Sequence, residues 1–256
     1  MITWNEARRI APTLEAVQGW PDEIVVIDSG STDETRDICR RHGGRVIERD
    51  WPGYGAQKNA VVDACRGEWI LLIDADEVVT PELRKEIDAV LDDPAAADVY
   101  AIPRQHLVYG KRLRHALWSG EPRVSLFRRG TGRWADVEVH EGYETDRPVA
   151  KLQNVIDHYT YVDRAHRRWK LDRYTTLEAQ KAMRLGERPR PFYSAARAVY
   201  GALHMYVWDL GFLDGLPGLE MALSSGYYVY LADRKLAKLH AANVLRSTKA
   251  SEEGES

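Results

Sequence analysis

The sequence predicts an α/β fold: a mostly parallel sheet flanked by helices, mixed in its second half, with a helical hairpin at the C-terminal end. Three observations predict it. Strand and helix patterns alternate through the first ninety residues, as in sheets with helices on both faces. Two apolar runs, Ile24 to Ile27 and Trp69 to Ile73, lack polar alternation and lead into Asp28 and Asp74; strands buried on both faces read this way. Finally, Ala195 to Phe212 and Leu219 to His240 are apolar helical stretches joined by the turn Asp214-Gly-Leu-Pro-Gly218.

The elements follow in order. Met1 to Thr3 reads as the stump of a strand. Asn5 is placed to cap a helix over Glu6 to Gln18, with Ile10, Leu14 and Val17 as its stripe. Ile24 to Asp28 is a strand, and Ser29-Gly-Ser-Thr-Asp33 is a donor-rich turn in which Asp33 caps the next helix. That helix stops at Gly43-Gly44. A short strand at Arg45 to Glu48 and a helix over Ala56 to Cys65 precede the run beginning at Trp69. Thr80-Pro81-Glu82 opens the following helix, with Thr80 as cap and Pro81 in the first turn. Beyond Asp98 the pattern turns to short strands: Val99 to Ile102, Arg112 to Trp118 and Arg123 to Phe127. Tyr161 to Leu185 is a long polar helix capped by Asp163. The expected organisation is a catalytic domain over 1–160, split into a nucleotide-binding half (1–95) and an acceptor half (96–160). A helical extension over 161–246 and a disordered tail at 247–256 complete it.

Composition narrows the function. The chain has 256 residues, 44% hydrophobic and 29% charged, which is ordinary for a globular protein. A net charge of −3 gives no electrostatic footprint for nucleic acid. Cys39 and Cys65 have no metal or redox spacing, and Cys39 reads as a small core residue. No signal peptide is expected from Met1-Ile-Thr-Trp-Asn-Glu6, and no run of 18 apolar residues is long enough to span a bilayer.

The chemistry concentrates where the strands end. Asp74, Asp76 and Glu77 are three carboxylates at the mouth of a buried strand, a repulsive cluster that a cation or ligand compensates. In an extended chain Asp74 and Asp76 share a side and reach one divalent ion. Open α/β sheets bind ligands beyond such strand ends. The G-x-G-x-x-G pattern of dinucleotide folds is missing after the first strand, so a nucleotide held by carboxylates and metal is the better reading. Downstream, Val137-Glu-Val-His140-Glu141 and Asp157-His158 add further acids and imidazoles. Arg188, Arg190, Arg197, Arg234, Lys235 and Lys238 flank the aromatic hairpin, a pattern that suits either a membrane interface or an ordinary packed αα-hairpin.

Four segments in this order resemble glycosyltransferase family 2: Thr3-x-Asn5-Glu6, Val-Val-Ile-Asp28-Ser-Gly-Ser-Thr-Asp33, Gly53-Tyr-Gly55-Ala-Gln57-Lys58-Asn59 and Leu-Ile-Asp74-Ala-Asp76-Glu77. Arg123 to Arg128, Val139-His140-Glu141 and Gly211-Phe-Leu-Asp214-Gly215 resemble its lipopolysaccharide-core glucosyltransferase subgroup. The resemblance implies a GT-A fold with a Rossmann-like sheet, and inverting transfer from a nucleotide sugar, with UDP-glucose as the expected donor. It implies Thr3 and Glu6 at the base pocket, Asp28 on the uracil or ribose, Lys58 near the base or pyrophosphate, and Asp74 on the ribose. Asp76 would hold Mg²⁺ or Mn²⁺ on the diphosphate, with His158 as a further ligand. Inverting displacement needs a base on the acceptor hydroxyl. Glu141 is the candidate, with His140 and Asp136 as rivals, and Trp134 would stack on a sugar. The acceptor would be a glycolipid or lipopolysaccharide core, met by a cytoplasmic enzyme peripheral on the inner face of the membrane, with residues 191–241 as the membrane-facing part. A sugar-nucleotidyltransferase and a non-catalytic nucleotide-sugar-binding protein are the alternative readings. In one respect the chain departs from the pattern. Members carry several more apolar residues before Thr-x-Asn-Glu, so the chain either begins short of the natural start or lacks part of a core strand.

Overall fold

The computed structural model describes residues 1–115, 122–135 and 142–254, the last eleven as helix backbone only. The chain divides into two compact units. One comprises Met1–His106 with Gly120–Thr160, the other Leu107–Ser119 with Tyr161–Ser256.

The first unit opens with β1 (Ile2–Thr3), α1 (Ile10–Val17), β2 (Ile24–Asp28), α2 (Thr35–Arg41) and β3 (Gly44–Glu48). Strands β1, β2 and β3 pair in parallel, with Thr3 beside Asp28 and Asp28 beside Glu48. Next come α3 (Tyr54–Ala64), β4 (Trp69–Leu71), β5 (Glu77–Val79), α4 (Pro81–Asp92), β6 (Val99–Ile102) and β7 (Arg104–Val108). After β8 (Lys111–Arg112) the chain continues through β9 (Arg123–Arg128), β10 (Arg133–Trp134), β11 (Tyr143–Glu144), β12 (Val149–Lys151) and β13 (Ile156–Tyr161). A second sheet has the order β12-β6-β9-β4. In it β12 and β6 are parallel, while β9 runs antiparallel to both β6 and β4. The parallel portion and the mixed second half both match the expected fold class.

The strands carry unbroken apolar runs because both faces are buried. Val26, Ile73 and Leu126 enter one core with Ile10, Leu14 and Leu83 from the helices. Their neighbours Val25, Ile27, Ile70, Leu72 and Phe127 enter the other with Val61 and Val62 of α3. Adjacent residues point to opposite faces, so two cores replace the usual alternation of apolar and polar.

Two expectations are corrected. The run from Trp69 was read as part of a parallel sheet, yet β4 pairs antiparallel with β9, Ile70 beside Phe127. Burial on two faces fixes composition and leaves the partner's direction open. The first helix was placed over Glu6 to Gln18 with Asn5 as cap. It runs Ile10–Val17, and Asn5 lies in the left-handed region at φ 54°. Its side-chain oxygen instead accepts from the Thr32 N–H at 2.8 Å, across to the turn after β2. Pro12 then falls in the first turn, where a missing N–H costs nothing.

Met1 lies at the edge of an apolar groove of about 400 Å³ lined in part by Val25 of β2 and Ile70 and Leu71 of β4. Beside it the Met1 ammonium donates to the Val25 carbonyl at 2.8 Å.

In the second unit Leu107 and Val108 pair with Arg112 and Lys111 in a hairpin. Helix α5 (Arg164–Arg184) starts at Asp163, whose carboxylate accepts from the His166 N–H at 2.7 Å, the cap the sequence called for. Helix α6 (Pro191–Leu203) passes into a π-turn at His204–Trp208 and a 3₁₀ turn at Gly211–Asp214. Helix α7 (Gly215–Gly254) then returns, continuing through most of the segment expected to fray. The tight reversal needs Gly218: a Cβ there would lie 1.9 Å from the Gly211 carbonyl oxygen. Asp214 accepts from the N–H groups of Arg114 and His115 at 2.9 and 3.0 Å, tying the turn to the segment after β8. Val108, Leu113, Met205, Met221 and Ala222 form this unit's core.

Candidate active site

Two loops are knitted together at the end of β2. Asp28 is fully buried. Its Oδ2 accepts from the Thr3 hydroxyl at 2.8 Å, and its Oδ1 accepts from the Ser31 N–H at 2.8 Å. Farther along, the Asn5 N–H donates to Ser31 Oγ, the Glu6 N–H to Thr35 Oγ1 and the Ala7 N–H to Asp33. Burial works to raise the Asp33 pKa, but hydrogen bonds from Thr35 and Ala7 outweigh it and hold the carboxyl below its ordinary range. Both Asp28 oxygens are thus taken up by donors from Thr3 and Ser31. Gln57, fully buried on α3, donates to Ser29 Oγ at 3.0 Å and braces the same turn.

At the end of β4 the three carboxylates divide. Glu77 is buried and faces Arg104, with Nε to Oε1 at 2.9 Å. Arg104 also donates to Ser125 Oγ at 2.7 Å and to the Ile102 and Arg123 carbonyls. The other Glu77 oxygen accepts from the Asp74 N–H at 3.1 Å. Glu77 is thus a structural anion that fixes the loop. Nothing in the sequence around Pro103-Arg104 marked its partner.

Asp76 lies at the centre of the remaining charge. Its Oδ2 is 3.3 Å from Arg9 Nη1, and its Oδ1 is 3.5 Å from His158 Nε2. Arg9 also pairs with Glu6. The Asp76 carbonyl accepts from the Tyr159 N–H at 2.8 Å, and the Thr13 hydroxyl of α1 donates to the Ala75 carbonyl at 2.9 Å. Both main-chain contacts hold the loop against β13 and α1. His158 stands beside Glu77 across the antiparallel β5–β13 pair. The His106 ring is 4.9 Å from the His158 ring, and its Nδ1 is 2.8 Å from Thr160 Oγ1. The structure therefore brings Glu6, Asp76 and His158 together, and adds Arg9 and His106, which sequence reasoning missed. Asp74 is half-buried, its N–H bonded to Glu77.

Lys58, on α3, places its ammonium 5.9 Å over the Trp134 ring. Trp134 itself is only 6% exposed, packed on Phe127 and Tyr143 with ring centroids 5.4 and 4.7 Å away. Asn59 clamps its backbone from both sides, at 2.9 and 3.0 Å. A ring so enclosed has no face for a sugar, so the stacking role expected for Trp134 gives way to a core role. Asp136, His140 and Glu141 lie outside the described residues.

Residues 1–142 match Glycosyl transferase family 2. The chain belongs to that family. Its α/β sheet, parallel at first and mixed later, is the GT-A arrangement of family 2. An uncharacterized glycosyltransferase of Rickettsia felis is 44% identical over 90 residues, covering 35% of this chain and 32% of its own length. The chain thus spans about a third of the first curated relatives it matches. The lipopolysaccharide core biosynthesis glycosyltransferase LpsC of Rhizobium meliloti is 27% identical over 251 residues, 94% of this chain and 92% of that one. Among solved structures, S. aureus TarS 1-349 superimposes with a TM-score of 0.47 at 14% identity, over 94% of this chain and 90% of that one. Among the described residues, no three His, Cys, Asp or Glu side chains are grouped to hold a metal ion. Asp76 and His158 stand 3.5 Å apart, with Arg9 on the other Asp76 oxygen.

Proposed function

We propose that the chain is an inverting, metal-dependent glycosyltransferase that moves a sugar from a nucleotide sugar, UDP-glucose, to a glycolipid or lipopolysaccharide-core acceptor. The observation that carries this reading is the Asp76–His158 pair, 3.5 Å apart between the loop after β4 and strand β13, within a family 2 chain. The full-length similarity to LpsC supports the acceptor class.

Asp76 and His158, a carboxylate and an imidazole, would hold Mn²⁺ or Mg²⁺, which would supply Lewis-acid stabilisation of the leaving diphosphate. The chain's own residues do the rest. Arg9 sits 3.3 Å from Asp76 and adds a fixed positive charge where negative charge develops. His106 packs on His158 and holds its ring orientation. Asp74 is assigned to the ribose and Lys58 to the pyrophosphate side. Thr3, Glu6 and Asp28 shape the base pocket. Glu141 is assigned as the base that takes the acceptor proton. A lipid-borne acceptor and a cytoplasmic nucleotide donor meet at the inner face of the membrane, which places the enzyme there as a peripheral protein.

The test is sugar-nucleotide turnover with and without EDTA, in the wild type and in Asp76→Asn and His158→Ala. Mn²⁺ binding is followed separately by calorimetry. Both substitutions are expected to weaken Mn²⁺ binding and transfer together. Turnover that survives EDTA and both substitutions overturns the metal assignment. Pyrophosphate release in place of transfer overturns the transferase assignment.

A further inference from the structure

Helix α7 of the second unit is flanked on two sides. Toward α5 it is tied by Glu220 to Arg164, by Ser224 to Arg167 at 2.7 Å, and by Lys235 to Asp172 at 2.6 Å. Toward α6 it packs through small residues: a Cβ on Gly226 would stand 2.4 Å from the Ala198 carbonyl oxygen and 3.1 Å from the Ala202 methyl. The inward row of α6 is therefore Ser194, Ala198 and Ala202, four residues apart. The opposite row holds Phe192, Val199 and Leu203, and it is uncovered. Phe192 is 92% exposed and Val199 60%. The turn that follows continues the apolar surface, with Trp208 69% and Leu216 72% exposed. Isolated exposed apolar residues need no explanation, but a contiguous row of this kind marks an interaction surface.

The backbone leaves regular α-helix where α6 ends. The π-turn at His204–Trp208 widens the end of α6, and Leu210 is held in the left-handed region at φ 56°. A branched residue adopts that conformation at a cost, and such strain collects at functional segments. Charge selects the partner. In residues 188–203 the charged side chains are Arg188, Arg190 and Arg197, all exposed; of the two acids in the turn that follows, Asp214 is taken up by the Arg114 and His115 N–H groups and Asp209 faces His204. A second copy of this face would bring only the same cationic segment and supply no acid from residues 188–203 to pair with it. An anionic surface would pair with them. No helix among the described residues is long and apolar enough to cross a membrane, so the apolar row lies along a surface rather than through it. Aromatic and aliphatic residues bordered by arginine are the signature of the lipid interface.

We propose that the outer face of α6 and the turn from Val207 to Leu216 seat in the interface of an anionic lipid bilayer. The purpose of this seat rests on the lipid-borne acceptor argued above; the seat itself does not. The test is flotation of the full chain with phosphatidylcholine vesicles carrying about one-third phosphatidylglycerol, against pure phosphatidylcholine. Binding is expected to the anionic vesicles and to weaken with salt as the Debye length shrinks. The double substitution Phe192→Glu/Trp208→Glu is expected to reduce it at least about tenfold, and Arg188→Glu/Arg197→Glu to a comparable extent. Both sites are exposed, and unchanged circular dichroism and Mn²⁺ binding verify that the variants are folded. Failure of the wild type to float, unchanged flotation of Phe192→Glu/Trp208→Glu, or a dimer in light scattering that this double variant abolishes would each overturn the proposal. None of these outcomes touches donor turnover, so failure here leaves the transferase reading standing.

Discussion

Asp28, Asp76 and Glu77 are acids at strand ends with three different surroundings, and these decide what each does. Asp28 is consumed by hydroxyl and amide donors, Glu77 by a buried guanidinium, while Asp76 is shared between Arg9 and His158. The consequences for substitution differ accordingly. Glu77→Gln leaves the Arg104 cation buried without its counter-charge, and breaking a pair in this way costs ~3–5 kcal/mol. Urea denaturation is expected to show a loss of that order, with Glu77→Gln/Arg104→Met recovering much of it. Asp76→Asn is expected to lower Mn²⁺ affinity at least ~10-fold with circular dichroism unchanged. Glu141→Gln is expected to lower turnover by ~10² to 10⁴ with the Michaelis constant for donor little changed, because a base acts in the transition state. An unchanged turnover number would move the assignment to Asp136 or His140. The acids themselves were legible because aspartate at the end of an apolar run is conspicuous. Their partners were not: Arg9, Arg104 and His106 come from three separate elements, and only the fold brings them near.

Among the elements, two helix caps were read correctly, Thr80 of α4 and Asp163 of α5. Thr80 caps α4 by accepting from the Leu83 N–H at 3.2 Å, and its hydroxyl also donates to the Val155 carbonyl at 3.1 Å. Thr80→Ala therefore removes a cap and leaves a carbonyl short of a donor, and thermal unfolding is expected to register a loss of ~1–2 kcal/mol. Caps are local, with donor and acceptor three residues apart, so the sequence contains the whole interaction. Asn5 shows the limit of that rule. It has the composition of a cap, but its side chain bonds to Thr32, 27 residues on, and the helix begins later. The direction of β4 was equally out of reach, because an apolar run records burial on both faces and is silent about which neighbour supplies the hydrogen bonds. Gly226 carries a comparable long-range requirement. Gly226→Val is expected to push α6 from α7 and lower the melting temperature while helix content stays near wild type.

At the scale of the whole molecule, ionisation sets the pH range in which the fold is stable. On the acid side, the Glu23 carboxyl is held below its ordinary value, first by the Arg66 N–H and then by Arg45. The Glu220 carboxyl is held down by Arg164, and that of Asp63 by Arg133. A carboxyl with a depressed folded pKa binds fewer protons than its unfolded counterpart, so its contribution is present above the unfolded value and lost as pH falls through the folded one. Glu23 and Asp63 belong to one unit and Glu220 to the other, so both are expected to weaken as pH drops below the ordinary glutamate value of 4.5. On the alkaline side the sign reverses. Burial pushes the Cys39 thiol up from 9.0 to about 11 and the Tyr228 phenol from 10.0 to about 12. The unfolded chain releases those protons first, so stability is full below the unfolded values and falls as pH climbs from 9.0 toward the folded ones. Denaturant midpoints measured across pH should form a plateau with falling flanks. Glu23→Gln should flatten part of the acid flank and Tyr228→Phe part of the alkaline one. Cys39 supplies an independent check, since a thiol that is fully buried and protonated should resist labelling in the native protein at pH 8 and react only as the first unit opens. Rapid native labelling of Cys39 would mean that the core beneath β2 and α2 is not closed, and the alkaline flank would then need another source.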